Sequence, residues 1–76
     1  MIIRTPREIG LLVRDRRRAA GVTQAALAER IGASRQWVRL LESGKARLEL
    51  GLTLRALSAL GITLDANVPT AENANG

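Results

Sequence analysis

The sequence predicts an all-α domain of four short helices with a short β-strand at its C-terminal end, on three observations. Helix-start signals recur: "TPRE" at residues 5–8, Thr23 and Ser34 each precede an apolar-periodic run. A glycine follows each of the four runs, at Gly21, Gly32, Gly44 and Gly61, where a left-handed residue commonly closes a helix. Only after Gly61 does the apolar spacing change from the helical period to alternation. These signals divide the chain into an arm at residues 1–4, a helical domain at 5–61, a strand at 62–66 and a flexible tail at 67–76.

"TPRE" is a capping box with proline at the first helical position, so the first helix starts at Pro6 and runs to about Ala20. Ile9, Val13 and Ala20 share its inward stripe, with Leu12 beside it. Thr23 caps the second helix, which turns Leu27, Ala28 and Ile31 inward. Ser34 caps the third, and the fourth spans about Glu49 to Leu60. "ITLD" at residues 62–65 then alternates apolar and polar, the period of a strand. A single strand needs a partner, since even an isolated hairpin is marginal. Two candidates exist: the N-terminal "MII", or the same segment of a second copy. "NVPTAENANG" has the composition of a disordered tail.

Seventy-six residues make one domain, near the size where a single core is only marginally stable. The chain has no cysteine and no histidine, which removes disulfides, thiolate or imidazole metal sites and histidine-based acid/base catalysis. No nucleophile stands beside an obvious base, so neither an enzyme nor a cofactor or metal site is expected. No apolar run approaches the roughly 20 residues of a membrane span, and no signal-peptide pattern opens the sequence. The expected compartment is the cytoplasm, without a membrane partner.

Charge is distributed unevenly. Residues 1–47 hold eleven Lys/Arg against four Asp/Glu, whereas residues 48–76 hold one against three. Ten of the eleven early cations are arginine, the side chain best suited to bidentate phosphate and base contacts. That polarity points to a polyanion, most simply nucleic acid.

Residues 23–42, "TQAALAERIGASRQWVRLLE", refine this expectation. A small residue at Ala28 lets two helices approach, and Gly32 permits the positive φ of a tight turn. Val38 and Leu41 then anchor the next helix, across a turn short enough for a helix–turn–helix. On a wheel of the third helix, Trp37, Val38 and Leu41 fall within an arc of about 100°. Arg35, Gln36 and Arg39 occupy the other side. Arginine can read guanine O6/N7 and glutamine adenine N6/N7 in a major groove. Trp37, the single aromatic residue, either packs at the rim of Leu41 or leans an indole edge on a DNA backbone.

"TQAALAERIGASRQWVRLLESGK" resembles the lambda-repressor-like (XRE-type) DNA-binding domains, in its Thr-Gln-x-x-Leu-Ala helix, glycine turn, recognition helix and Glu-x-Gly-Lys ending. The resemblance covers about residues 6–60. It implies that Ser34, Arg35, Gln36 and Arg39 face the bases of double-stranded DNA. It also implies backbone phosphate contacts from Thr23, Gln24, Lys45 and Arg47, with Gln24 bridging phosphate and recognition helix. Arg17 matches a basic residue of the first helix that pairs internally with the acid matching Glu42, which makes that pair structural.

Within this family the short arm, the fourth helix running directly into a strand-like segment and the small size resemble HipB-type antitoxins. That resemblance implies a repressor of its own operon, paired C-terminal strands in a homodimer and a HipA-type kinase toxin as partner. The fourth helix supports a dimer by itself. Leu50, Leu54 and Leu57 form one stripe, and Leu52, Ala56, Ala59 and Leu60 extend it around more than half the circumference. The expected dimer interface therefore comprises Leu52, Ala56, Ala59, Leu60, Ile62 and Leu64; alternatively, the extra leucines pack under "MII" and "ITLD" of the same chain. A two-fold dimer would space its recognition helices roughly 34 Å apart, matching an inverted-repeat operator. Other readings are a stand-alone phage-type or restriction-controller regulator, and a protein-interaction adaptor that reads no bases.

Overall fold

A computed structural model of the chain describes residues 2–45 and 47–69. Four helices follow in order: α1 (Pro6–Ala19), α2 (Gln24–Ile31), α3 (Arg35–Ser43) and α4 (Leu50–Ala59). Three of the four starts carry the side-chain cap that the sequence predicts. The Thr5 hydroxyl accepts from the Glu8 N–H, Thr23 from Ala26 and Ser34 from Trp37. The Glu8 carboxylate reaches back one residue past the cap, accepting the Arg4 N–H at 2.8 Å and the Thr5 hydroxyl at 3.1 Å. Glu49 precedes α4 without a side-chain cap bond.

The helix ends share one solution. Gly32 adopts φ 72°, which lets the Ala33 N–H reach back to the Ala28 carbonyl at 2.9 Å. The corresponding bonds, Val22 to Arg17, Lys45 to Leu40 and Ile62 to Leu57, close α1, α3 and α4. The orphan carbonyls of each last turn are thereby partly satisfied.

α1 packs on α3, and α2 contacts both α3 and α4. Leu27, Leu41, Val13 and Val38 are fully buried at the centre, each contributing about 1.5–3 kcal/mol of hydrophobic stabilisation. Ala28 sits among them at 3% exposure, where a larger side chain would push α2 away from its neighbours. Gly10 allows another close approach: a Cβ there would strike the Leu41 carbonyl and lie 2.8 Å from that of Glu42. The bare backbone of α1 thus holds the last turn of α3.

Three expectations change. Ala20 is exposed, since it is the C-cap of α1, and Arg17 takes the inward position instead. α4 buries Thr53, Ala56, Leu57 and Leu60, leaving Leu50 at 70% and Leu54 at 47% exposure. Ala56 and Leu60, expected at a dimer interface, therefore belong to the chain's own core. Thr53 can face inward because its hydroxyl donates to the Glu49 carbonyl at 2.9 Å. Residues 62–69 pair with no strand of the single chain, so the strand expected at 62–66 would need a second copy as its partner. They run along a groove of about 1190 Å³ lined by Ile2, Ile3, Leu12, Ile62 and Leu64, among others. Residue 1 of the arm and residues 70–76 of the tail lie outside the described residues.

Candidate nucleic-acid interface

The outward face of α3 exists because its opposite face is fixed twice. Val38 and Leu41 anchor it in the core, and Glu42 anchors it through charge. Arg17 of α1 grips the Glu42 carboxylate with two donors, Nε to Oε2 and Nη2 to Oε1, the latter at 3.0 Å. Its remaining Nη1 donates to the Val22 carbonyl at 2.8 Å, tying the pair to the α1–α2 turn. Gln24 Nε2 adds a bond to Glu42 Oε1 at 3.2 Å. Both charged side chains are nearly buried, and bonding to Glu42 raises the Arg17 pKa above its ordinary value. One carboxylate thus joins α1, α2 and α3.

With those contacts in place, Arg35, Gln36 and Arg39 are left exposed on α3. Arg39 Nη1 lies 3.5 Å from Gln36 Oε1, a long contact that aligns the two side chains on one face. Ser34 is also exposed, with its hydroxyl engaged as the cap of α3. Trp37 is half-buried and packs against the core, the first of the two placements open to it.

The residues expected at phosphates fall at the two ends of α3. Thr23, Gln24 and Arg35 line one cleft of about 600 Å³ together with Arg17, Arg18 and Ala25. Thr23, Gln24 and Ala25 are the N-terminal end of α2, so the cleft combines cations with a helix N-terminus, a favourable setting for an anion. Lys45 and Arg47 are exposed beyond the C-cap Gly44, at the opposite end of the nine-residue helix. Thr23 is tied by its own capping bond, and Gln24 meets α3 through Glu42.

Two further cations of α1 fall in this region. Arg18 lines the cleft beside Thr23 and Gln24. Arg7 lies against the C-cap of α3, where a Cβ on Gly44 would come within 2.7 Å of the Arg7 Cα. Both placements depend on how α1 crosses α3. Beside the Arg17–Glu42 pair that the resemblance implies, the sequence signal of that crossing is a glycine, Gly10, inside an otherwise sound helix.

Known proteins give this arrangement its context. The profile of the helix-turn-helix domain family matches residues 8–69. The chain belongs to the helix-turn-helix family. Among its relatives, the HTH-type transcriptional regulator y4mF of Sinorhizobium fredii is 36% identical over 67 residues, covering 88% of both chains. An HTH-type transcriptional regulator of Methanothermobacter thermautotrophicus is 44% identical over 50 residues, covering 66% of this chain and 72% of the relative. These similarities make this helix-turn-helix protein a transcriptional regulator. Its fold superposes at a TM-score of 0.81 on a chain of a HipA-HipB-O2-O3 complex, at 20% identity, covering 92% of this chain and 99% of that one. A chain of a HipB-O4 20mer complex gives the same score and identity over the same shares.

Proposed function

We propose that the protein is a sequence-specific repressor that binds an inverted-repeat DNA operator as a homodimer. The observation that carries this reading is the division of α3 into an anchored face and an exposed face of Arg35, Gln36 and Arg39. Arginine and glutamine are the side chains that read guanine and adenine edges in a major groove. The cleft at Thr23, Gln24 and Arg35 and the cations Lys45 and Arg47 take backbone phosphates on either side, fixing the register of the helix. Selection of bound duplexes from a random pool should return one inverted repeat. Arg35→Ala should then cost about 1–3 kcal/mol and relax preference at a single base position in each half-site. An equal loss on all duplexes would make Arg35 a phosphate contact instead.

The second copy has a surface to occupy. Ile2, Leu50, Leu54, Leu64 and Val68 are each more than 45% exposed in the single chain. Ile62 and Leu52 are half-buried, and Ala59 is exposed. Pairing the 62–66 segments of two chains as strands would satisfy the backbone and cover Ile62 and Leu64 together. The dimer face accordingly keeps Leu52, Ala59, Ile62 and Leu64 and gains Leu54.

The fold's likeness to HipB chains, one of them in a complex with HipA, supports an antitoxin role with a HipA-type kinase toxin as partner. Co-expression with the adjacent reading frame tests this role: a kinase-like protein that co-purifies supports it. An adjacent methyltransferase or integrase frame favours a stand-alone regulator, a reading with its own support in the relatives' description as transcriptional regulators and nothing more.

A further inference from the structure

α1 carries five arginines, and the structure gives them different surroundings. Arg17 is buried against Glu42. At about 100° per residue, Arg7, Arg14 and Arg18 fall within an arc of about 40°, while Arg16 points roughly to the opposite side. That arc borders the Gly10–Arg17 line, which touches α3, and lies on the outward side of the seam between the two helices. Two contacts fix the direction of the row. Arg7 sits against Gly44, next to Lys45, and Arg18 lines the cleft with Thr23, Gln24 and Arg35. α1 thus runs antiparallel beside α3, and the row spans about 16 Å along it.

Among the described residues, Arg7 and Arg18 make no side-chain hydrogen bond or ion pair, and Arg14 has only a long ion pair with its neighbour Asp15. Arg14 Nε is buried without a hydrogen-bond acceptor, and the facing carboxylate oxygen, Asp15 Oδ1, is 3.9 Å away, beyond hydrogen-bond reach. Arg7 and Arg18 are exposed. Three like charges in a row, balanced only by one exposed carboxylate at 3.9 Å, are poorly placed for a free surface and well placed for a linear polyanion.

We propose that Arg7, Arg14 and Arg18 form a phosphate rail, with α1 following one DNA backbone strand while α3 occupies the adjoining major groove. The rail rests on the DNA-binding reading above. A B-form groove about 12 Å wide is filled by one helix, so the outward flank of the neighbouring helix meets the bordering strand. Arginine suits the task through its forked donors. The rail contributes affinity without sequence preference, because phosphates are the same at every step.

The test uses the full chain, a duplex carrying the selected operator and a scrambled duplex, with binding followed by fluorescence anisotropy between about 50 and 200 mM salt. Arg7→Gln, Arg14→Gln and Arg18→Gln should each weaken binding to both duplexes by the same factor. Each should also flatten the slope of log affinity against log salt by about 0.9. Arg14→Lys, which keeps the charge, should keep the slope, and Arg16→Gln should leave it unchanged. Unaltered slopes in the three rail variants overturn the proposal, as does an Arg16→Gln effect equal to theirs, which would reduce the row to net charge. A parent chain that binds neither duplex overturns the function itself and the rail with it. Operator binding that depends on Arg35 but not on the three rail residues overturns the rail alone.

Discussion

Two residues decide how firmly the reading helix is held. Glu42 is nearly buried and receives three hydrogen bonds from Arg17 and Gln24. Glu42→Gln leaves the Arg17 charge buried without a counter-charge, which costs about 3–5 kcal/mol, a large share of what a domain this small can hold. The double variant Arg17→Met, Glu42→Leu should recover most of that loss, since it removes both charges and fills the space. Chemical denaturation of the two variants checks the contrast. At Gly10 two effects oppose each other. Alanine improves helix propensity by about 1 kcal/mol. Its Cβ, however, meets two backbone carbonyls of α3, which move only if the helix moves. Overpacking of this kind costs about 1–3 kcal/mol, so Gly10→Ala should lower the melting temperature rather than raise it.

At the scale of the element, the capping box of α1 gives the domain a pH-dependent term. The Arg4 N–H, bonded to the Glu8 carboxylate, holds the Glu8 pKa below its ordinary value, with the Thr5 hydroxyl adding to the effect. A depressed folded-state pKa means that the stabilisation is present at neutral pH and is lost as pH falls through that value. Glu8→Gln should therefore melt earlier than the parent at neutral pH, and the gap should close in acid once the pH falls below the folded-state pKa, where both states are protonated. The same box shows why helix boundaries were legible in the sequence. Thr5, Thr23, Ser34 and the four glycines act within a few residues of themselves, so their meaning does not depend on the rest of the fold. α4 was legible in extent but not in orientation. It has leucine or alanine at six of ten positions from Leu50 to Ala59, spread around the helix, which leaves periodicity little to select. Contact with α2 selected the Thr53, Ala56, Leu57 and Leu60 face, a choice made elsewhere in the chain. The reading edge of α3 was easier, because its polar and apolar residues separate cleanly around the helix. The row on α1 was not, because its meaning depends on which way α1 crosses α3.

At the scale of the whole molecule, apolar side chains remain outside the core of a chain with few residues to bury. Leu54 and Leu64 are each about half exposed, whereas Leu57 is buried at 2%. Leu54→Glu and Leu64→Glu should convert the dimer to a monomer in sedimentation while preserving the helical circular dichroism. Leu57→Glu should unfold the chain, which separates an interface effect from a core effect. A dimer that survives both interface variants would place the two-fold contact on another face. The division of labour in α3 has a further consequence. Among the described residues, the one side-chain hydrogen bond of Arg35, Gln36 and Arg39 is the long Gln36–Arg39 contact, while Val38, Leu41 and Glu42 hold the helix in place. Three codons can therefore drift with little penalty in folding, and duplicate copies of such a gene could acquire separate operators while sharing one unchanged scaffold.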